Sequence, residues 1–87
     1  MEAYPDRNEI LARLRSVVPD KVGIEPALIQ PDARLADIGI DSFSLIELVF
    51  VAEEEFKVII PLEGLVVKTV NDVLDVIQQR LAVATAR

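Results

Sequence analysis

One stretch limits what this chain can fold into more than any other. It is Gly39-Ile40-Asp41-Ser42-Phe43 together with the apolar, acidic run it opens, Ser44-Leu45-Ile46-Glu47-Leu48-Val49-Phe50-Val51-Ala52-Glu53-Glu54-Glu55-Phe56. Gly39 can take backbone angles closed to other residues and interrupts what precedes it. Asp41 and Ser42 are both good N-cap residues, directly ahead of a periodic apolar stretch. At about 100° per residue, Leu45, Val49, Ala52 and Phe56 fall within roughly 60° of one another, a core-facing stripe. The spacing predicts a helix from Ser42 to about Phe56.

Phe43, Glu47, Phe50 and Glu54 form a second stripe almost opposite the first. A chain of 87 residues builds one modest core and can hardly bury both sides of one helix. Phe43 and Phe50 are therefore expected to be at least partly exposed, interleaved with carboxylates, on the side near Ser42. Exposed aromatics beside charge mark a docking surface. A serine at a helix start presents its hydroxyl close to amides that lack a partner inside the helix, where the field favours negative charge. A phosphate ester on that oxygen is well placed. On its own, though, a serine here is a common cap.

Composition narrows the chemistry. Fifteen acids against nine bases give a net charge of −6, which argues against a nucleic-acid partner and for partners with basic patches. The chain has no cysteine and no histidine. No disulfide and no Cys/His zinc site can form, and Ser42 has no imidazole to activate it as in a Ser-His-Asp triad. The acids lie along exposed helix faces and loops in no pattern that marks a metal or acid–base site. Residues 1–7 do not resemble a signal peptide, and no stretch is long and apolar enough for a membrane span. The expectation is a single cytoplasmic domain over residues 1–87, with its ordered core over about 6–81.

Along the chain, Pro5 and Asp6 suit a first helical turn, and Ile10, Leu11, Leu14, Val17 and Val18 recur at helical spacing. A first helix is expected from about Asp6 to Val18, ended or kinked by Pro19, with brief helical continuation to Lys21 before Gly23 stops it. From Gly23 to Ile40 the chain is a long connection, anchored by Ile24, Leu28, Ile29, Leu35 and Ile38 and holding one short turn near Arg34 to Asp37. Lys57-Val58-Ile59-Ile60-Pro61 is expected to lie extended on the helices, and Leu62 to Val67 to form a short third helix bent at Gly64. Thr69, with Asp72 three residues on, sets up a capping box for a last helix from about Val70 to Leu81, with 82–87 frayed. The resulting class is all-α: a small four-helix bundle of three main helices and one short one, with a long loop between the first two.

The stretch Leu35-Ala36-Asp37-Ile38-Gly39-Ile40-Asp41-Ser42-Phe43, with Glu47-Leu48, Glu53-Glu54-Glu55-Phe56, Ile60-Pro61 and Thr69-Val70-Asn71-Asp72-Val73 beyond it, resembles the modification site of the acyl carrier proteins and related peptidyl carrier domains. The similarity covers roughly Glu9 to Leu81. It implies a carrier, not an enzyme. On this resemblance a phosphopantetheinyl transferase would attach the 4′-phosphopantetheine of coenzyme A to Ser42, and Asp41 beside it would help position the serine. Phe43, Glu47, Phe50, Glu53 and Glu54 would then form the surface that meets basic patches on loading and synthase enzymes, with the carrier as a monomer. The resemblance further implies that an acyl chain can shelter between helices, with Leu48, Val49, Ile59, Ile60, Leu65 and Val66 as candidate linings that serve equally well as plain core.

Several residues depart from the family pattern. Phe43 stands where leucine is usual, Ser44 where an acid is common, Lys57 where glycine is frequent and Ile59 where an acid is frequent, and Leu62 to Val67 is strongly apolar. These lean towards a specialised discrete carrier for polyketide, lipid or other secondary metabolism. An aminoacyl or peptidyl carrier, and a helical interaction module that is never modified, remain open as alternatives.

Overall fold

Three α-helices form the fold in the computed structural model, which describes residues 5–85 and side chains as far as Val83. They are α1 (Arg7–Val22), α2 (Ser42–Phe56) and α3 (Val70–Thr85). No strand occurs among the described residues. Two 3₁₀ turns, Pro26–Leu28 and Leu35–Ile38, lie between α1 and α2.

Asp6 caps α1 by accepting a hydrogen bond from the Glu9 N–H at 2.9 Å. The helix then runs without a break through Pro19 to Val22 and stops at Gly23, where an end or kink after Val18 with a brief continuation to Lys21 was expected. The proline removes one backbone donor in the last part of the helix, and its own carbonyl is satisfied by the Gly23 N–H at 2.8 Å. Gly23 takes the left-handed conformation, φ 80°, which closes the helix. Partly buried Val22 continues the apolar face, so the stripe that starts at Ile10 outlasts the proline.

The connection to α2 is held down by buried Ile24, Ile29, Leu35 and Ile40, whereas Leu28, an expected anchor, is exposed. It is also tied to the start of α3. Arg34 and Thr69 form an isolated antiparallel bridge. Around it the Leu35 N–H donates to Lys68 O at 2.9 Å, the Val70 N–H to Ala33 O at 3.0 Å and the Asn71 N–H to Pro31 O at 2.8 Å. Unpaired loop backbone thus finds partners, as buried polar groups require.

After α2 the chain turns at Lys57 in the left-handed region, φ 58°. Val58 and Ile60 then point into the core and Ile59 out of it, the alternation of an extended segment. The short helix expected over Leu62–Val67 is absent. Those residues hold a turn at 63–64, with the Leu65 N–H donating to Leu62 O at 3.0 Å. Pro61 disfavours helical angles just before itself, and Gly64 is at φ 76°, so too few residues remain to nucleate a helix.

α3 opens on a reciprocal cap. The Asp72 N–H donates to Thr69 Oγ1 at 3.2 Å, and Asp72 Oδ2 accepts from the Thr69 N–H at 3.1 Å and the Lys68 N–H at 2.8 Å. The helix extends to Thr85 rather than ending at Leu81, because nothing in Ala82-Val83-Ala84 opposes helix. Residues 86–87, expected to fray, lie outside the described residues, as do 1–4 of the segment read as lacking a signal peptide. Ile10, Leu14, Val18, Leu74 and Ile77 are fully buried at the centre. Each apolar stripe read from the sequence faces this centre, and no charged or polar residue is buried among the described residues.

Candidate functional site

The start of α2 is set by the residues before it. The 3₁₀ turn Leu35–Ile38 ends on Gly39 in the left-handed conformation, φ 89°, and buried Ile40 pins the next residue. Asp41 then takes the cap. Its backbone is extended, its Oδ1 accepts from the Ser44 N–H at 2.9 Å, and its carbonyl accepts from the Leu45 N–H at 2.8 Å. Both Asp41 and Ser42 fitted the cap chemically. The structure assigns that work to Asp41 and leaves Ser42 as the first helical residue.

Ser42 is exposed, and its hydroxyl makes no hydrogen bond to any described residue. The Ser44 N–H, with the Ser44 hydroxyl second, holds the Asp41 carboxyl below the usual aspartate range, because both bonds favour the ionised form. Asp41 is therefore an anion at neutral pH whose acceptor oxygen is directed at the first turn of α2. It organises the amides around Ser42 but is not placed to take the Ser42 proton, and the chain supplies no histidine for that task.

Beside Ser42 lies an open groove of about 410 Å³. Leu35, Ile40, Leu45 and Val67 form its apolar part; Arg34, Asp41, Ser42 and Lys68 border it. A free, exposed primary hydroxyl at a helix start, next to an open groove with apolar and basic lining, fits a phosphate ester carrying a flexible arm. Two interior spaces, of about 10 and 20 Å³, are far smaller and hold at most a single water-sized probe. Leu48, Val49, Ile60 and Leu65 line the first of them. Ile59 and Val66, also expected as linings, are 74% and 76% exposed. They fall on the outward side of an extended segment whose alternation the sequence showed only as an unbroken apolar run.

Phe43 and Phe50 are 68% and 56% exposed. Glu54 is exposed, and Glu47 and Glu53 are half-buried. These residues share the face that begins at Ser42, and exposed Ile46 lies among them, at the three- and four-residue offsets from Phe43 and Phe50 that define one helix face. That spacing was the signal for Ile46. Glu53 differs from the others: its Oε2 accepts from the Ile60 N–H at 2.6 Å. Glu55 points away, 3.8 Å from Arg13, whose guanidinium lies 5.4 Å from the Phe56 ring centroid. Arg34 and Lys68 were not read as site residues. Nothing in the sequence pairs them; only the bridge between their segments does. Among the described residues no cluster of acids could hold a metal ion, and no helix is long and apolar enough to cross a membrane.

A small all-helical fold that presents one unengaged serine at the head of an acidic, aromatic helix is the architecture of a carrier domain. The sequence model of the family described as "Phosphopantetheine attachment site" matches residues 12–83. The chain is 39% identical over 79 residues to an acyl carrier protein of Thermosynechococcus vestitus, an alignment spanning 88% of this chain and 98% of that protein. It is 36% identical over 75 residues to a meromycolate extension acyl carrier protein of Mycolicibacterium smegmatis, spanning 84% of this chain and 76% of the relative. It is also 36% identical over 74 residues to part of a non-reducing polyketide synthase of Emericella nidulans, covering 84% of this chain and 3% of the synthase. The chain belongs to the acyl carrier family of phosphopantetheine-attachment domains: a carrier rather than an enzyme, bearing covalent 4′-phosphopantetheine as its cofactor.

Proposed function

We propose that Ser42 is the attachment point and that the chain carries acyl groups as thioesters in fatty-acid, polyketide or related lipid and secondary-metabolite biosynthesis. The observation that carries this reading is the state of Ser42: exposed, without a hydrogen-bond partner among the described residues, and first in α2 behind the Asp41 cap. The bound group supplies a terminal thiol on which an acyl cargo forms a thioester, a bond more readily attacked than an oxyester. When the arm is installed, Ser42 Oγ as nucleophile forms the new bond to the phosphorus that carries the pantetheine, the pyrophosphate P–O bond of coenzyme A breaks, and 3′,5′-adenosine bisphosphate leaves. The proton of the Ser42 hydroxyl goes to a base supplied by the phosphopantetheinyl transferase, because no described residue accepts a hydrogen bond from it. Asp41 keeps the first turn of α2 wound, so the hydroxyl is presented at one fixed position.

Phe43, Ile46 and Phe50 form the apolar part of the partner-binding face, and Glu47, Glu53 and Glu54 its charged part. Their partners are the transferase and the loading and synthase enzymes, met through basic patches by a monomeric carrier. Charge of this sign accelerates encounter with such patches more than it deepens affinity. The pathway reading is supported by the breadth of the relatives, whose names span polyketide synthesis and meromycolate extension, and by the bulky Phe43 next to the serine.

The test is intact-mass measurement before and after incubation with coenzyme A, magnesium and a broad-specificity phosphopantetheinyl transferase. The wild-type chain gains one phosphopantetheine and Ser42→Ala gains none. No gain on folded wild-type chain, with another carrier loaded in parallel, overturns the reading.

A further inference from the structure

The groove beside Ser42 carries two cations whose side chains form no ion pair or hydrogen bond among the described residues. Arg34 and Lys68 are exposed and border the groove from two distant segments of the chain. The Arg34–Thr69 bridge and the Leu35 N–H to Lys68 O hydrogen bond join those segments. Other arginines have structural work. Arg7 pairs with Asp75, Arg13 with Glu9 and Glu55, and Arg15 and Arg80 donate to the carbonyls of Ile29 and Ile59. The Arg34 guanidinium has no hydrogen-bond or ion-pair partner among the described residues. The Lys68 ammonium attracts the Asp72 carboxylate, but forms no ion pair with it, and that carboxylate already accepts two backbone N–H groups.

In a chain of net charge −6, a groove bordered by two cations is a local reversal of sign. We propose that Arg34 and Lys68 hold the phosphodiester that loading places on Ser42, an inference that rests on Ser42 being the attachment point. The charges support it. Asp41 and a phosphodiester are each singly negative, and Arg34 and Lys68 are each singly positive. The loaded groove is therefore neutral where it would otherwise concentrate two like charges beside apolar Leu35, Ile40 and Leu45. A guanidinium presents a planar fork that matches two phosphate oxygens, and an ammonium acts as a point charge. The amides at the head of α2 add to the same field. Held in this way, the root of the arm is directed along the groove instead of swinging freely from the helix end.

The experiment compares apo and loaded forms of the wild type, Arg34→Gln, Lys68→Gln and Lys21→Gln, the last an exposed lysine outside the groove that controls for net charge. Thermal midpoints and the phosphorus-31 resonance of the loaded forms are read at about 0.01 M and about 1 M salt, where the screening length falls from about 30 Å to about 3 Å. Each variant is referred to its own apo form, so changes in fold stability cancel and only the coupling to the arm remains. At low salt the loaded-minus-apo midpoint is expected to fall in Arg34→Gln and Lys68→Gln relative to wild type and Lys21→Gln. The phosphorus resonance is expected to shift in the same two variants, and both differences should collapse at high salt. Identical midpoint differences and resonances in all four proteins would overturn the clamp while leaving the attachment reading intact. Failure of wild type to gain the arm's mass would overturn both.

Discussion

Glu53 Oε2 accepts a hydrogen bond of 2.6 Å from the Ile60 backbone N–H, so an acid on the Ser42 side of α2 also fixes the chain that leaves that helix. Ile60 is buried, and its amide finds no other partner. Glu53→Ala leaves a donor unpaired near the core and should cost about 1–3 kcal/mol. Glu53→Gln keeps an acceptor and should cost about 1 kcal/mol or less. Exposed Glu54→Gln should leave stability within about 0.5 kcal/mol while slowing association with a basic partner. Urea midpoints and association rates at low salt separate the two acids.

The division of labour between Asp41 and Ser42 makes a second prediction. Because Asp41 holds the cap, Ser42→Ala should change stability by no more than about 0.5 kcal/mol, although serine caps in general are worth more. Asp41→Ala should lower the midpoint measurably further, and Asp41→Asn, whose side-chain oxygen also caps well, should restore it. The same three variants, assayed for arm attachment, separate cap from nucleophile: Ser42→Ala keeps the fold and loses loading, while Asp41→Asn keeps both.

Acid sensitivity follows from two caps. The Ser44 bonds pull the Asp41 carboxyl below its ordinary value, and the Lys68 N–H, with the Thr69 N–H second, does the same for Asp72. Folded-state values below the unfolded value of about 3.9 mean that the native state favours the anion. The stabilisation is fully present above that value and is lost as pH falls through the lower, folded one. Wild-type midpoints should therefore drop on acidification below about pH 4. Asp41→Asn and Asp72→Asn should each show a shallower drop over that window and little change near neutrality. Midpoints measured from about pH 6 down to about pH 2 test this.

Much of the fold was legible because helical period alone encodes it. Ser42 and Phe56 bound α2 as its spacing required, and Val70, Val73, Leu74, Ile77 and Leu81 face the core together. Other features were not legible for identifiable reasons. Asp41 and Ser42 are chemically equivalent cap candidates, and backbone geometry decides between them. Pro19 is a strong breaker whose cost depends on how near the helix end it lies. The run Leu62–Val67 is apolar without periodicity, so its turn could not be told from a short helix. The Glu53–Ile60 bond and the placing of Arg34 and Lys68 on one groove depend on where the chain goes between them, which no local pattern states.

Lys57 is the one non-glycine residue in the left-handed region among the described residues, at φ 58°. It ends α2, its N–H donating to Glu53 O, and its side chain is exposed. A residue with a Cβ pays roughly 1–2 kcal/mol in that conformation, and glycine avoids it. Lys57→Gly should therefore stabilise the fold by about 0.5–1 kcal/mol after the added flexibility of the unfolded chain is counted. Lys57→Val, β-branched at positive φ, should destabilise it. Chemical denaturation of both variants checks the sign.

The exposed aromatics give the sharpest separation of fold from function. Phe43 and Phe50 lie largely in solvent on the Ser42 side of α2, so Phe43→Ser and Phe50→Ser lose little buried area and should change stability by no more than about 0.5 kcal/mol. Aromatic anchors at an interface commonly carry 2 kcal/mol or more, roughly a thirtyfold loss of affinity at that value. The two substitutions should therefore weaken association with a cognate synthase or transferase far more than they weaken the fold, and the weakening should persist at high salt. Glu47→Gln and Glu54→Gln should also weaken association, but by slowing it at low salt, with an effect that fades as salt rises. Titration calorimetry and association rates at two salt concentrations distinguish the patterns. If the Phe50→Ser chain binds as tightly as wild type, the apolar half of this face plays no part in docking, and Phe50 is then a solvent-exposed residue of α2 and nothing more.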